Sequence, residues 1–444
     1  MLLSFPPQGR NAHISRKGYP VRRLLDTPWS QNPGSENEIS QRSRNGIKGN
    51  LHSLCAKRLA AQRVYVVYGF YGKNPAPRAC VLQDVRSELV AGEKFEMKIP
   101  SPRLSLGYRF LGFSPSLLCD ANCFHCLFSA RQRRSGRHDP VVLRRFFSGI
   151  SKNIKVICLT GGEPFADLDL LFYLAHRMRS CGRNFAIVTN GLWSLRNEPT
   201  KILTRLKKYG LNSVSVSFDD YHSPSLDKDE LIRLLESSAA CGIAISIKSC
   251  GKKSESAIRE IKKHFQKKSV PVVVEHFSLD HVGMATNLAT DLVRVNSSQG
   301  SGCTMLAKPV VLHDGTFISC CSAIMPAIRS DWLVRGNIRS DSLRRLLSES
   351  ESDFRLVALA ALGPRGMARV AGIKYDSTQT PCENCVRILN DETSRRKIED
   401  KLEHNKALRK EVIGRFLLLS FKLAEDINKI DGNWRRYKKR AGIE

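Results

Sequence analysis

The sequence predicts an α/β protein built from parallel βα units, and three observations support this prediction. From about residue 105, short apolar runs alternate with amphipathic segments of helical length. Several of these runs end in glycine-rich or polar motifs, as strands do where their carboxyl ends build an active site. Three closely spaced cysteines follow the first run. With 444 residues, the chain has room for two or three domains.

Six strand-like runs are recognised by their apolar, often β-branched or aromatic residues. In chain order, the predicted strands cover residues 108–113, 155–160, 185–190, 213–218, 243–249 and 271–277. Helices are predicted between them at residues 139–150, 167–181, 200–209, 228–241 and 254–266. Because parallel strands all end at the same edge, the motifs that follow them are expected to meet on one face.

The cysteine motif follows the first strand. Cys119, Cys123 and Cys126 stand in a C-x-x-x-C-x-x-C spacing. Three thiolates at this spacing can hold three irons of a [4Fe–4S] cluster and leave the fourth iron without a protein ligand. The alternatives for the triplet by itself are a zinc site or three unrelated buried thiols. An iron with an open coordination position indicates chemistry rather than a structural role.

Polar motifs follow the next three strands. The second strand runs into Gly161-Gly162-Glu163-Pro164, the third ends at Asn190, and the fourth ends at Ser217 and Asp219. Adjacent glycines let the backbone approach a ligand closely. An ordinary βα turn would explain any one of these sites. It explains the three sites and the cysteine motif together poorly.

Taken in order, these motifs resemble the radical S-adenosylmethionine (SAM) superfamily, whose members carry C-x-x-x-C-x-x-C, then GGEP, then Ser-x-Asp at the fourth strand. The resemblance covers about residues 105–290 and implies an α/β fold of the partial (βα)6 TIM-type barrel class. It also implies a site-differentiated [4Fe–4S] cluster on Cys119, Cys123 and Cys126, with S-adenosylmethionine bound to the open iron.

The resemblance carries over to individual cofactor-binding residues. Gly161, Gly162 and Glu163, followed by Pro164, would bind the methionyl amine of SAM. Asn190 belongs to the same set, and Ser217 with Asp219 would lie near the carboxylate or ribose. The segment Val282-Gly283-Met284-Ala285 is similar to the one that packs against adenine after the sixth strand. Gly283 is therefore a further predicted cofactor contact.

A second set of cysteines lies in the C-terminal third of the chain. Its members are Cys303, Cys320, Cys382 and Cys385. The sequence between the first two reads as a β-hairpin over residues 310–318, with an Asp-Gly turn. This arrangement resembles the opening of SPASM and twitch domains and implies one auxiliary [4Fe–4S] cluster. Zinc is the alternative, and Cys321 could take the place of Cys320.

Composition gives the remaining expectations. Fourteen cysteines without a signal peptide indicate metal ligands in a reducing cytoplasm rather than disulfides, and no apolar stretch is long enough for a membrane span. The net charge is +29, and no nucleic-acid-binding motif accompanies it. The charge therefore indicates a solvated basic surface. The predicted organisation is a disordered basic segment at 1–60, a small module at 61–104, the core barrel at 105–290, a SPASM/twitch-like domain at 291–390 and a basic helical tail at 391–444.

The resemblance implies an enzyme that forms a 5′-deoxyadenosyl radical, abstracts a substrate hydrogen atom and takes electrons from a flavodoxin or ferredoxin. The leading interpretation is a maturase of a ribosomally made peptide, since a basic surface suits an acidic leader. The alternatives are oxidation or epimerisation of a small molecule such as an amino sugar, nucleic-acid modification, and a non-catalytic basic iron–sulfur protein. Cys250, at the end of the fifth strand, is a candidate hydrogen-atom donor for an epimerase; a small buried residue is its plainer interpretation.

Overall fold

The computed structural model describes residues 104–130, 138–222, 225–251, 254–288 and 302–443. All of the described residues belong to one unit of the chain, Ala61–Glu444. The predictions for residues 1–60, and for the module at 61–104 apart from its last residue, lie outside the described residues.

Six parallel strands form the larger part of one sheet. They are β1 (Phe110–Phe113), β2 (Val156–Leu159), β3 (Asn184–Thr189), β4 (Leu211–Ser217), β5 (Ala244–Cys250) and β6 (Val272–Phe277), and each pairs with the next in chain order. The crossover helices are α1 (Pro140–Gly149), α2 (Leu168–Ser180), α3 (Pro199–Lys208), α4 (Lys228–Ala240) and α5 (Glu255–Lys267). The six predicted strands and five predicted helices are therefore confirmed, with ends that differ by at most two residues.

Local sequence explains where these helices begin and which face they bury. Asp139 caps α1 by accepting hydrogen bonds from the backbone of Val141 and Val142, and a proline occupies the first turn, where its missing N–H costs nothing. Asp227 and Glu230 form a capping box at α4. The apolar faces of the helices then pack on the strands, whose core residues include fully buried Leu111, Ile157 and Val214. This packing holds the strand ends and their loops in place.

Three further strands continue the sheet beyond β1. They are β7 (Val310–Val311), β8 (Thr316–Ile318) and β9 (Val334–Asn337), with β7 parallel to β1 and the other two pairs antiparallel. The predicted hairpin is thus confirmed. Gly315 closes its turn with a φ of 88°, a left-handed conformation that glycine adopts without strain. Because β7 pairs with β1, the C-terminal segment is joined directly to the barrel sheet.

Five helices complete the described chain: α6 (Leu343–Ser352), α7 (Phe354–Ala371), α8 (Pro381–Asn390), α9 (Glu392–His404) and α10 (Lys406–Ala441). Helix α7 was not expected from the sequence. It is apolar on most of its surface and is kinked at Gly363, whose φ is 64°, just before Pro364. The last turns of α10 return to the barrel, where Tyr437 and Arg440 donate hydrogen bonds to the backbone oxygens of Ala239 and Ser269. None of the described helices is long and apolar enough to cross a membrane.

Candidate active site

One cavity collects the sequence motifs at the carboxyl ends of the strands. It has a volume of about 260 Å³. The predicted site residues in its wall are Cys119, Cys123, Cys126, Gly161, Gly162, Glu163, Asn190, Ser217, Asp219 and Cys250. These residues come from five separate chain segments that converge on one space, as the parallel-strand rule requires.

The two adjacent glycines bring the loop after β2 against the loop that carries the cysteines. A Cβ on Gly162 would lie 2.1 Å from the carbonyl oxygen of Leu118, and one on Gly161 would lie 2.0 Å from the Ser114 hydroxyl. The N–H groups of Gly162 and Glu163 donate to the carbonyl oxygens of Ser116 and Leu118. These two N–H groups are thus used within the protein.

Glu163 is buried, and its carboxylate is held by the chain itself. It accepts hydrogen bonds from the N–H groups of Phe165 and Asn190 and from the hydroxyl of Thr189, at 2.7–3.0 Å. Burial raises its pKa to about 7 despite these donors. A carboxylate can accept about four hydrogen bonds, so about one position remains for a cationic ligand group.

Asp219, which also lines the cavity, lies at the centre of a group of polar side chains. Its carboxylate lies 2.9 Å from Nδ1 of His222 and 3.5 Å from the sulfur of Cys250. Burial acts to raise the pKa of Asp219, but the hydrogen bond and charge of His222 outweigh it and lower that pKa. His125 completes the group, with Nε2 3.9 Å from Asp219 and its ring stacked on Tyr221. The side chain that the resemblance assigned to SAM thus has several partners from this chain.

Cys250 reaches the cavity from the end of β5 and is 8% exposed. Burial, followed by the charge of Asp219, raises the pKa of its thiol. The thiol is therefore protonated at neutral pH. A protonated thiol facing the cavity is chemically able to donate a hydrogen atom.

Gly283 and Pro164, two further residues predicted to contact the cofactor, lie outside the cavity wall. Gly283 packs under the cysteine loop, where a Cβ would meet the carbonyl oxygen of Cys126 at 2.5 Å, and the N–H of Met284 donates to that same oxygen. Its neighbour Val282 lines the cavity. Pro164 begins a short 3-10 helix behind the glycine loop and borders a separate small void. Neither residue is part of the wall of the main cavity.

The four C-terminal cysteines form a second group. Burial raises the pKa of each thiol, and every pair among Cys303, Cys320, Cys382 and Cys385 is close enough for one charge to raise the pKa of the other. Cys321 lies instead beside Cys158, Lys308 and Lys248. Of the two adjacent cysteines, Cys320 is therefore the one placed with the other three.

The number of thiols in each group, three and four, is a number that the protein ligation of a [4Fe–4S] cluster uses. A tetrahedral zinc with bonds of about 2.3 Å separates its sulfur ligands by only about 3.8 Å. Among the described residues, the groups whose ligand atoms all lie within 4.8 Å of one another are Cys123, His125 and His222, and His125, Asp219 and Cys250; neither consists of thiols alone. The first cysteine group has three thiols beside open space, and the second has four thiols, which would complete the protein ligation of a [4Fe–4S] cluster.

Sequence reasoning missed several contributors to the cavity wall, among them His125, His222, Asp280 and Ala323. Asp280 follows the end of β6 and accepts a hydrogen bond from Thr380, the N-cap residue of α8, whose second residue is Cys382. Its position just beyond the end of a predicted strand is the sequence feature that could have identified it as a site residue. Ala323 comes from the segment after Cys321, and no local pattern indicates that this segment reaches the barrel.

Comparisons with known proteins agree with this geometry. The model of the Radical SAM superfamily matches residues 113–282. A relative from Bacillus subtilis (strain 168), described as "Putative peptide biosynthesis protein YydG", is 24% identical over 253 residues, which are 55% of this chain and 78% of that protein.

Two solved structures are also similar. Streptococcus suis SuiB bound to precursor peptide SuiA is 14% identical, with a TM-score of 0.37 over 68% of this chain and 76% of that chain. Native anSMEcpe with bound AdoMet and the Kp18Cys peptide is 14% identical, with a TM-score of 0.41 over 70% of this chain and 99% of that chain.

Proposed function

We propose that this chain, whose residues 113–282 match the model of the Radical SAM superfamily, is an enzyme of that superfamily that modifies a ribosomally made peptide. The observation that carries the proposal is the single cavity bounded by the three motif thiols, the glycine loop and Cys250. The relative described as a peptide biosynthesis protein supports a peptide as substrate. When bound, the cluster and SAM supply a 5′-deoxyadenosyl radical that removes a hydrogen atom from the substrate.

The chain's own residues bind and orient the cofactor. Cys119, Cys123 and Cys126 would hold the cluster, and the Gly161–Glu163 loop would bind the methionyl amine. Asn190 donates its side-chain amide to Asp120, 2.9 Å away, and thereby fixes the cysteine loop. Ser217 supplies a hydroxyl to the polar end of the cofactor, and Val282, positioned by Gly283, contributes an apolar wall.

Cys250 favours epimerisation as the outcome. Its S–H bond breaks as a new C–H bond forms on the substrate radical, which leaves a thiyl radical on Cys250. One electron and one proton must then restore the thiol before the next turnover. A flavodoxin or ferredoxin is the proposed source of this electron, and the four C-terminal thiols would hold an auxiliary [4Fe–4S] cluster, a group suited to electron transfer. Asp219 keeps the resting thiol protonated and oriented.

The test of the general proposal is anaerobic reconstitution, with iron and sulfide counted and 5′-deoxyadenosine release measured with a strong reductant. About eight irons per chain and SAM-dependent release are expected. Candidate peptides encoded beside the gene are then incubated with the enzyme and analysed by mass spectrometry. Zinc in place of iron at the motif thiols, or an intact cluster without release, would contradict the proposal.

The test of the epimerisation step is Cys250→Ala assayed in deuterated water. The wild-type enzyme should place one deuterium at the modified carbon, whereas the variant should release 5′-deoxyadenosine without forming the epimer. Cys181→Ala, at a half-buried thiol outside the cavity, is the matched control. Deuterium incorporation that persists in Cys250→Ala would exclude Cys250 as the donor.

A further inference from the structure

A second, larger cavity lies at the opposite end of the barrel from the candidate active site. It is a groove of about 660 Å³ at the amino end of β6, between α5 and the last turns of α10. Its lining is Lys262, Gln266, Ser269, Val270, Pro271, Val272, Asn433, Arg436, Lys439 and Arg440. We call this surface the basic groove.

All of the charged residues that line the basic groove are cationic. Lys262, Arg436, Lys439 and Arg440 are all exposed, and the lining contains no acidic residue. Within the described ranges, none of the four forms an ion pair with a carboxylate. Four uncompensated cations around one groove attract an anionic partner.

Strand β6 leads from this groove to the active site. Its first residue, Val272, lines the basic groove, while its last, Phe277, lines the active-site cavity together with Ser278 and Leu279. Six residues of strand extend about 20 Å at about 3.3 Å per residue. A ligand lying along β6 would thus reach both sites.

The outer edge of β6 is available for pairing. This strand is last in the sheet order, and in the described part of the chain no strand pairs with its other side. No backbone hydrogen bond from another described segment reaches residues 272–277 either. An edge strand of this kind presents alternate N–H and C=O groups to an added strand.

We propose that the basic groove and the free edge of β6 bind an extended segment of the peptide substrate, with acidic residues in the groove and the residue to be modified in the cavity. Acidic residues would therefore stand about six residues from the modified position, since β6 spans that length. This inference rests on the proposed function, because it takes the substrate to be a peptide.

A nucleic acid fits the same surface less well. Single-stranded nucleic acids are bound by aromatic side chains that stack on bases, and the basic groove has none in its lining. Its floor is instead aliphatic, from Val270, Pro271 and Val272. An extended peptide uses both the aliphatic floor and the strand edge.

The first experiment measures binding without turnover. A fluorescein-labelled peptide of four glutamates followed by alternating threonine and valine is titrated with the full reconstituted chain at low salt, and anisotropy is recorded. We expect the double variant Arg436→Ala/Lys439→Ala to bind about tenfold more weakly. Lys422→Ala, an exposed lysine of α10 outside the groove, should bind as the wild type does. Absence of wild-type binding, or an equal loss in Lys422→Ala, overturns the inference.

The second experiment tests the strand edge without altering the protein. Two versions of the probe carry N-methyl groups on alternate residues of the threonine–valine segment, in the two possible registers. Only one register should lose affinity, because an added strand directs alternate N–H groups toward its partner. Equal binding by both versions, or tighter binding of an eight-residue oligothymidylate than of the peptide, counts against the proposal.

Activity separates this inference from the proposed function. If a peptide is modified and its KM is unchanged in Arg436→Ala/Lys439→Ala, the groove proposal fails while the proposed function stands. If the probe binds as expected but no peptide is modified, the docking surface stands and the substrate assignment fails.

Discussion

The two cysteine groups of this chain differ in number, surroundings and means of assembly. Cys119, Cys123 and Cys126 come from one short loop and border a cavity of about 260 Å³. The C-terminal four come from three distant segments, and none of them lines that cavity. Three ligands beside open space suit a cluster that must bind a small molecule, whereas four mutually close thiols suit one that only transfers electrons or stabilises the fold.

Removing the first group should have the largest effect. The triple variant Cys119→Ala/Cys123→Ala/Cys126→Ala is expected to lose all SAM cleavage, measured as 5′-deoxyadenosine by chromatography. It should retain about four irons per chain in the C-terminal group. Undiminished cleavage would overturn the assignment of the active centre.

Removing one C-terminal ligand should separate SAM cleavage from product formation. Cys303→Ala is expected to keep part of the 5′-deoxyadenosine release, because the active-site thiols are untouched, and to lose the modified product. Its iron content should fall by up to about four per chain. Full product formation after this loss of iron would show that the second group has no role in turnover.

The adjacent pair Cys320 and Cys321 offers a matched test of ligand identity. Cys320 is close to the other three thiols, while Cys321 neighbours Cys158 and two lysines. We expect Cys320→Ser to lose auxiliary iron and Cys321→Ser to retain it, by iron analysis and ultraviolet–visible absorption. The reverse pattern would assign the ligand to Cys321.

Most of the barrel could be predicted from sequence because each element has a local signal. The strands are β-branched runs of short length, the helices carry caps such as Asp139 and Asp227, and each motif follows a strand directly. The convergence of Gly161, Asn190 and Ser217 on one cavity then follows from the parallel arrangement alone.

The features that sequence could not give are those set by tertiary contact. Helix α7 is interrupted by glycine and proline at 363 and 364, residues that usually mark the end of a helix in a sequence. The pairing of β7 with β1 and the contact of Asp280 with Thr380 join segments far apart in the chain. The bonds of the Gly162 and Glu163 N–H groups to the cysteine loop likewise have no sequence signature.

The smallest effect is expected from alanine substitutions of two glycines, one beside the cysteine loop and one in α10. Gly162→Ala would place a Cβ 2.1 Å from a backbone oxygen of the cysteine loop, whereas nothing lies within 4 Å of a Cβ on Gly414, an exposed position in α10. The first change should cost roughly 1–3 kcal/mol and lower the Tm by several degrees. The second should raise stability by about 0.5–1 kcal/mol through the higher helix propensity of alanine. Thermal unfolding followed by circular dichroism measures both shifts, and equal Tm values for the two variants would show that the close packing of the glycine loop on the cysteine loop does not limit stability.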